Sequence, residues 1–228
     1  MKPMLRVEEE VKVDSNMKQI DLVYRALAIG TLCILLGACS TTTAPGPIVS
    51  VAEMDKDLDT AKVNIESLTA VIESNPKDAT AYNTRGAALA RIGKYIEAED
   101  DFTKAIELKP GYSAAYTNRA LAYRQTAQDD LALSDFNRAI ASNSSYGAAY
   151  LGRGNLYRSM NKFPEAIADL TQAIKLNPES AQAYHARGLI FQKQGLHKKA
   201  TNDFDAAIDR DPFVAAPYLA RGQSLIVL

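Results

Sequence analysis

Residues 81–110 read A-Y-N-T-R-G-A-A-L-A-R-I-G-K-Y-I-E-A-E-D-D-F-T-K-A-I-E-L-K-P, and this pattern returns three more times downstream and begins a fifth time. A shift of 34 residues superimposes two columns of large side chains: Tyr82, Tyr116, Tyr150, Tyr184 and Tyr218, and then Phe102, Phe136, Leu170 and Phe204. Self-similarity at a fixed period of this length is typical of solenoids, in which each unit stacks on its neighbours. The sequence therefore predicts a repeat array.

The array is predicted to hold four complete units, 79–112, 113–146, 147–180 and 181–214, and a partial unit, 215–228. Each unit divides into two helices, and the turns between them fall at Gly93, Ala127, Asn161 and Gly195. Small residues one turn after the tyrosines let the paired helices approach closely: Gly86, Ala120, Gly154 and Gly188. Alanines four residues before the Phe102 column lie on the same helix face as that column: Ala98, Ala132, Ala166 and Ala200.

This 34-residue helix-turn-helix pattern resembles the tetratricopeptide repeat (TPR) family, with Tyr in the place of the family's Trp. The resemblance covers about residues 79–228. It implies an all-α fold, a right-handed superhelix of antiparallel helix pairs whose first helices line a concave groove for peptides or partner domains. Residues 51–78 are predicted to form one amphipathic helix that caps the N-terminal face of the stack.

Every complete unit carries an arginine on its first helix and an aspartate on its second: Arg85, Arg119, Arg153 and Arg187, with Asp101, Asp135, Asp169 and Asp203. In an antiparallel hairpin, Arg85 lies about as far before the turn as Asp101 lies after it. The pattern therefore predicts a repeated, partly buried ion pair that fixes the two helices together. The alternative is an arginine ladder for acidic ligands.

The residues beside the tyrosine face of each first helix are predicted to line the groove. These candidates are Asn83, Ala87 and Ala90; Thr117, Leu121 and Arg124; Leu151, Asn155 and Arg158; and His185, Leu189 and Gln192. They differ between units while the packing columns repeat, as expected of positions that contact a particular partner. Some family members clamp a peptide carboxylate with a lysine and an asparagine one turn apart on this face, and none of the corresponding pairs here matches.

The N-terminal region carries an uncharged run over residues 26–38, shorter than the roughly 20 residues that span a bilayer as a helix. Basic residues precede this run and small residues end it, as in a signal peptide. Leu36, Gly37, Ala38 and Cys39 resemble the lipobox of bacterial lipoproteins, which implies a signal peptide over 1–38 and lipidation of Cys39. An uncleaved signal anchor is the alternative. Met17 is an alternative start, and residues 39–50 are a predicted tether.

The remaining chemistry of the sequence excludes several classes of function. Lys and Arg number 26 against 27 Asp and Glu, so a nucleic-acid interface lacks its basic excess. No nucleophile and base can be assembled, no phosphate-binding glycine motif occurs, and the histidines are separated. We therefore expect no enzyme activity, no metal site and no cofactor.

The partial fifth unit ends in the apolar residues 225–228. Three interpretations stay open: a truncated product, a self-association surface that makes a homo-oligomer through the C-terminal helix, or a frayed end.

The combination of signal and repeats also resembles the NlpI-type lipoproteins, which recruit envelope proteases and cell-wall hydrolases. The resemblance implies a lipid-anchored adaptor for envelope proteins. Ser40 after the cysteine implies the outer membrane, facing the periplasm. The alternatives are a pilotin or assembly-factor lipoprotein of an outer-membrane or pilus machine, and a self-associating structural protein of the envelope.

Overall fold

The computed structural model describes residues 51–228, and the side chains from residue 62 onward. The predicted signal peptide, the lipidation site Cys39 and the tether 39–50 lie outside the described residues. Within the described part no helix is long and apolar enough to cross a membrane.

Residues 51–228 form ten α-helices and no strand, which confirms the predicted all-α solenoid. The helices are α1 (Val51–Ser74), α2 (Ala79–Arg91), α3 (Tyr95–Leu108), α4 (Ser113–Gln125), α5 (Asp129–Ser142), α6 (Gly147–Ser159), α7 (Phe163–Leu176), α8 (Ala181–Lys193), α9 (His197–Arg210) and α10 (Ala215–Val227). Helices α2 to α9 make four antiparallel pairs. Helix α1 packs on α2, and α10 packs on α9.

The turns inside the four pairs share one backbone conformation. Gly93, Ala127, Asn161 and Gly195 all have positive φ, between 57° and 81°. A left-handed residue directly after a helix lets the following amides bond back to the last carbonyls. In the first pair Lys94 N donates to Leu89 O at 3.0 Å, and Gly93 N donates to Ala90 O at 3.1 Å. The same turn therefore reverses the chain in every unit.

Each helix pair is held together by a large apolar side chain that lies on a small residue. A Cβ placed on Gly86 would lie 2.8 Å from the Phe102 ring, and one on Gly188 would lie 2.7 Å from the Phe204 ring. The large side chain of the second unit, Phe136, also contacts a glycine of the third unit. A Cβ placed on Gly152 would lie 2.3 Å from the Phe136 ring. Phe136 thus packs tightly against the following unit.

The two kinds of helix are spaced differently along the stack. First helices of adjacent units approach each other to within 8 Å between Cα atoms, whereas successive second helices within residues 51–228 stay farther apart than that. Closer spacing on one side bends a stack toward that side. The side that carries α2, α4, α6, α8 and α10 is therefore concave, and we call it the groove.

Candidate functional site in the groove

The predicted arginines and aspartates are brought together in all four units. Arg85 Nε donates to Asp101 Oδ2 at 2.8 Å, and its Nη2 donates to Oδ1 at 2.7 Å. The other three pairs have the same bidentate geometry at 2.7 to 3.0 Å. The aspartates are buried, and the hydrogen bond to Asp101 raises the pKa of Arg85 above its ordinary value. Because the aspartates occupy the Nε and Nη2 donors of these four arginines, those donors are not available to an acidic ligand.

Each arginine has a third partner that the sequence analysis missed. Its Nη1 donates to a polar side chain on the second helix of the preceding unit, 16 residues upstream. These acceptors are Thr69, Thr103, Asn137 and Thr171. One arginine therefore joins three helices and two units. The sequence contains the corresponding pattern, because the acceptors are small polar residues that recur every 34 residues.

Two of the predicted groove residues, Asn83 and Thr117, lie between the first two units. Asn83 Oδ1 accepts a hydrogen bond from Asn118 Nδ2 at 3.0 Å. Thr117 is only 2% exposed, and its Oγ1 has no hydrogen-bond partner. Thr117 is thus enclosed by the protein and does not line an open surface, which departs from its predicted position. Leu121, one turn later, is 39% exposed and does face solvent.

Three further candidates contribute mainly to packing between units. Leu151 is half-buried against the cluster around Leu170 and Ile190, and Leu189 packs against the cluster around Phe204. Gln192 Nε2 donates to Ala220 O at 2.9 Å and to Ser224 Oγ at 3.0 Å. These side chains lie where one first helix meets the next, so the fold itself uses them.

Two arginines occupy the same repeat position on the contacting helices α4 and α6. Burial lowers the pKa of Arg124 first of all, and the positive charge of Arg158 lowers it further, while Asp129 opposes both effects. Arg158 Nε lies 3.4 Å from Asn155 Oδ1, and Asn155 Nδ2 donates to Leu151 O at 3.1 Å. The groove thus holds two like charges as neighbours.

His185 on α8 adds a third basic group to this region. Burial lowers its pKa below the ordinary value, and the charge of Arg158 lowers it further. Its ring lies 5.9 Å from the Phe204 ring. We call Arg124, Arg158 and His185 the basic cluster. It is the part of the predicted site that combines charge, partial exposure and differences between units.

The described residues contain no group of three or more His, Cys, Asp or Glu side chains that could hold a metal ion. The basic cluster combines two guanidinium groups with an imidazole, so the arrangement suits binding by charge.

Comparisons with known proteins identify the repeats. Tetratricopeptide repeat models match residues 79–112, 113–146 and 181–213, and a TPR repeat model matches residues 154–195, which together span more than half of the chain. A search of curated proteins found no match.

Several solved structures share the fold. MamA is 23% identical, with a TM-score of 0.58, over 72% of this chain and 95% of that chain. YrrB, described as a TPR protein with an unusual peptide-binding site, is 23% identical, with a TM-score of 0.57, over 72% of this chain and 84% of that chain. PilF of Pseudomonas aeruginosa is 20% identical, with a TM-score of 0.63, over 67% of this chain and 71% of that chain. The repeat matches and the helical solenoid agree, and the chain belongs to the tetratricopeptide repeat family.

Proposed function

We propose that this chain is a lipid-anchored adaptor that holds protein partners in the bacterial cell envelope. TPR repeats are typical of proteins that bind other proteins, and such proteins are typically not enzymes. One observation carries the binding role: the packing and ion-pair columns repeat in every unit, whereas the groove positions differ. Residues that build the scaffold recur, and residues that meet a particular partner need not.

The basic cluster indicates the chemistry of that partner. Arg124 and Arg158 are half-buried like charges, and burial lowers the pKa of Arg124 first of all, with a further lowering by Arg158 against the opposing effect of Asp129. A carboxylate placed between two like charges relieves their repulsion and gains charge-assisted hydrogen bonds. Complementary charge also speeds association and selects partners. We propose that the groove takes an acidic segment of a protein partner.

The anchor rests on the sequence around Cys39. A lipidated cysteine with several acyl chains holds a protein stably on a bilayer, because stable attachment takes more than one chain. The likeness to NlpI-type lipoproteins supports envelope proteases or peptidoglycan hydrolases as partners. Ser40 supports the outer membrane, with the repeats in the periplasm.

Labelling with radioactive palmitate tests the anchor. The wild-type chain is expected to incorporate the label and to fractionate with membranes. Cys39→Ser is expected to lose both properties, while Cys33→Ser, which lies inside the apolar run, keeps them. Equal labelling of the wild type and Cys39→Ser would refute lipidation at this cysteine.

Crosslinking and pull-down from envelope membranes tests the adaptor role. The double variant Arg124→Glu, Arg158→Glu is expected to lose partners that the wild type captures. The matched control is Arg138→Glu, because Arg138 is exposed on the second helix α5. Equal capture by the groove variant and the control would contradict binding in the groove. Proteases or hydrolases among the partners support the adaptor, and secretion or pilus subunits support the pilotin alternative.

A further inference from the structure

A cavity lies between α1 and the first helix pair, outside the groove. Its volume is about 310 Å³, and residues of α1, α2 and α3 line it, among them Ile65, Leu89 and Asp100. None of its lining residues is a groove candidate. This volume is at the lower end of the range for pockets that bind small molecules. The cavity therefore has room for one ring and a short side chain.

The first unit carries a leucine at this cavity where the other complete units carry an aromatic residue. The residues that follow Leu89 at the 34-residue period are Tyr123, Tyr157 and Phe191. Tyr123 belongs to the apolar cluster that contains Phe136, and Phe191 packs against the cluster around Phe204. A leucine side chain is smaller than these rings, so it leaves space that the other units fill.

Arg85 faces this space with a guanidinium that can contact a ring. In the other three complete units the equivalent guanidinium lies 5.8 to 5.9 Å from the centre of the aromatic ring at the Leu89 position. Within the described residues, Arg85 makes this kind of contact with Tyr82 alone, at 5.8 Å. A guanidinium at such a distance attracts the face of a ring. A ligand ring beside Leu89 would gain the same attraction.

The polar groups at the cavity leave one carboxylate without a partner. Arg85 donates two hydrogen bonds to Asp101 and one to Thr69, so these three side chains satisfy one another. Glu97 accepts a hydrogen bond from a neighbouring lysine at 3.1 Å. Asp100 makes no hydrogen bond or ion pair within residues 62–228. The cavity thus combines apolar side chains with one unpaired negative charge.

The charge at this cavity also distinguishes the first unit from the others. At the positions of Glu97 and Asp100 the later complete units carry Leu131 and Ser134, Glu165 and Ala168, and Lys199 and Asn202. The first unit is therefore the one complete unit whose sequence has two carboxylates at these positions and no aromatic residue at the Leu89 position. Two separate departures from the repeat pattern coincide at one cavity.

We propose that this cavity binds a small arylalkylamine, which is an aromatic ring with an ammonium group on a short alkyl chain. The ring lies against Leu89 and Ile65, beside the Arg85 guanidinium. The ammonium group pairs with the Asp100 carboxylate. This site is separate from the groove and depends neither on the adaptor role nor on the lipid anchor.

Phenethylamine is the direct probe of this site. Titrated into the full-length chain with labelled methyl groups, it is expected to shift the NMR signals of Ile65 and Leu89 in a saturable way. The methyl signals of the groove residue Leu121 should not move. Phenethyl alcohol carries the same ring without the charge and should bind about two- to fivefold more weakly, because an exposed ion pair contributes little. Ethylamine, which lacks the ring, should cause no saturable shift.

Leu89→Phe fills the cavity with a ring of the chain itself and is expected to abolish binding of phenethylamine. Phe191 occupies the equivalent position in the fourth unit, so the variant should stay folded, which circular dichroism checks. The matched control is Leu121→Phe, the same substitution at an exposed groove position. It should bind phenethylamine as the wild type does.

Asp100→Asn removes the charge and keeps the shape of the side chain. It is expected to weaken binding of phenethylamine about two- to fivefold and to leave binding of phenethyl alcohol unchanged. The matched control is Asp130→Asn, because Asp130 is an exposed carboxylate on α5 and lies outside the cavity lining. It should leave the affinity for both compounds as in the wild type.

Absence of saturable shifts, or equal binding by the wild type and Leu89→Phe, would overturn the proposal. Equal affinity for phenethylamine and phenethyl alcohol would overturn the cationic ligand. A tripeptide amide that begins with phenylalanine carries the same ring and ammonium group at a chain end. If it binds more tightly than phenethylamine, a protein N-terminus occupies the cavity, which overturns the small-molecule ligand.

Discussion

Arg153 and Asp169 are joined by two hydrogen bonds, from Nε at 2.7 Å and from Nη2 at 2.8 Å, and the aspartate is only 6% exposed. The same arginine reaches back with Nη1 to Asn137 at 2.6 Å. The pair thus fixes α6 to α7, and the third bond fixes the unit to the one before it.

Breaking this pair is expected to destabilise the array. Arg153→Ala leaves the buried carboxylate of Asp169 without a partner, at a cost of about 3 kcal/mol in unfolding free energy. Urea titration followed by circular dichroism measures the loss. Replacing both residues with apolar ones of similar size, as in Arg153→Met with Asp169→Leu, should cost less than Arg153→Ala, because no charge is left buried.

The surface pair Lys94 and Glu97 is the control for this experiment. Both side chains are more than half exposed, and exposed pairs contribute little. Glu97→Gln should leave the urea midpoint almost unchanged. If Arg153→Ala behaves like Glu97→Gln while partner binding weakens, the arginine column serves ligands and the structural interpretation fails.

Two helical glycines are expected to respond in opposite directions to alanine. Gly152→Ala pushes a methyl group into the Phe136 ring and should destabilise by about 1 to 3 kcal/mol, as overpacking does. Gly222→Ala meets open space and should stabilise by about 0.5 to 1 kcal/mol through helix propensity. Thermal and urea unfolding of both variants compares them. Similar effects at the two positions would contradict the close contact at Gly152.

The turn at Ala127 offers a stabilising substitution. Ala127 has φ of 57°, a left-handed conformation that costs an L-residue about 1 kcal/mol. Ala127→Gly removes that strain, but glycine also adds freedom to the unfolded chain, so the net gain should be about 0.5 kcal/mol. Gly195→Ala is the reverse change in an equivalent turn and should destabilise. A loss of stability in Ala127→Gly would show that the turn is not strained.

His185 should make stability depend on pH. Because its pKa in the folded chain lies below the unfolded value of about 6.5, the unfolded state binds more protons below that pH. The contribution is fully present above about pH 6.5 and is lost as the pH falls toward the folded pKa. Urea titrations between pH 7 and pH 5 should show a flatter profile for His185→Gln than for the wild type.

The same histidine reports on the groove. Arg158→Gln removes a repelling charge and should raise the pKa of His185, measured by its ring proton shifts in NMR. A bound acidic segment should raise the His185 pKa in the wild type. A downward shift on either change would be at odds with the basic cluster.

Gln192 is expected to hold the last helix in place. Gln192→Leu removes the hydrogen bonds to Ala220 O and Ser224 Oγ, so the buried Ser224 hydroxyl loses its donor. Amide exchange in α10 should accelerate, while α4 and α5 should change little, because solenoid units depend mainly on their neighbours. Faster exchange throughout the array would argue against a local role.

The fold was predictable because its determinants repeat. Tyr82, Gly86 and Phe102 recur at one period, and a position under the same packing constraint in every unit is visible in a single sequence. The ion pairs were predictable for the same reason, since Arg85 and Asp101 lie on either side of one turn. The acceptor Thr69 repeats equally, but its column mixes threonine, asparagine and aspartate, so residue identity hides it.

The candidate site was less predictable. Thr117, Leu151 and Gln192 occupy groove positions by register, yet each is partly or wholly taken up by packing between units. Helical register gives the direction of a side chain but not the distance to the next helix. The basic cluster consists of side chains from three different units. The sequence of a single helix does not show that these side chains are neighbours in the fold.

The contact of one arginine with three helices, which we call the arginine bridge, restricts how such a chain changes length in evolution. Each arginine takes one partner 16 residues before it and one 16 residues after it, and both belong to the same 34-residue pattern. Duplication or deletion of a whole 34-residue segment therefore returns every arginine to an aspartate and a small polar acceptor. A recombination event of any other size would strand a charge inside the stack, so the bridge restricts tolerated changes to whole repeats.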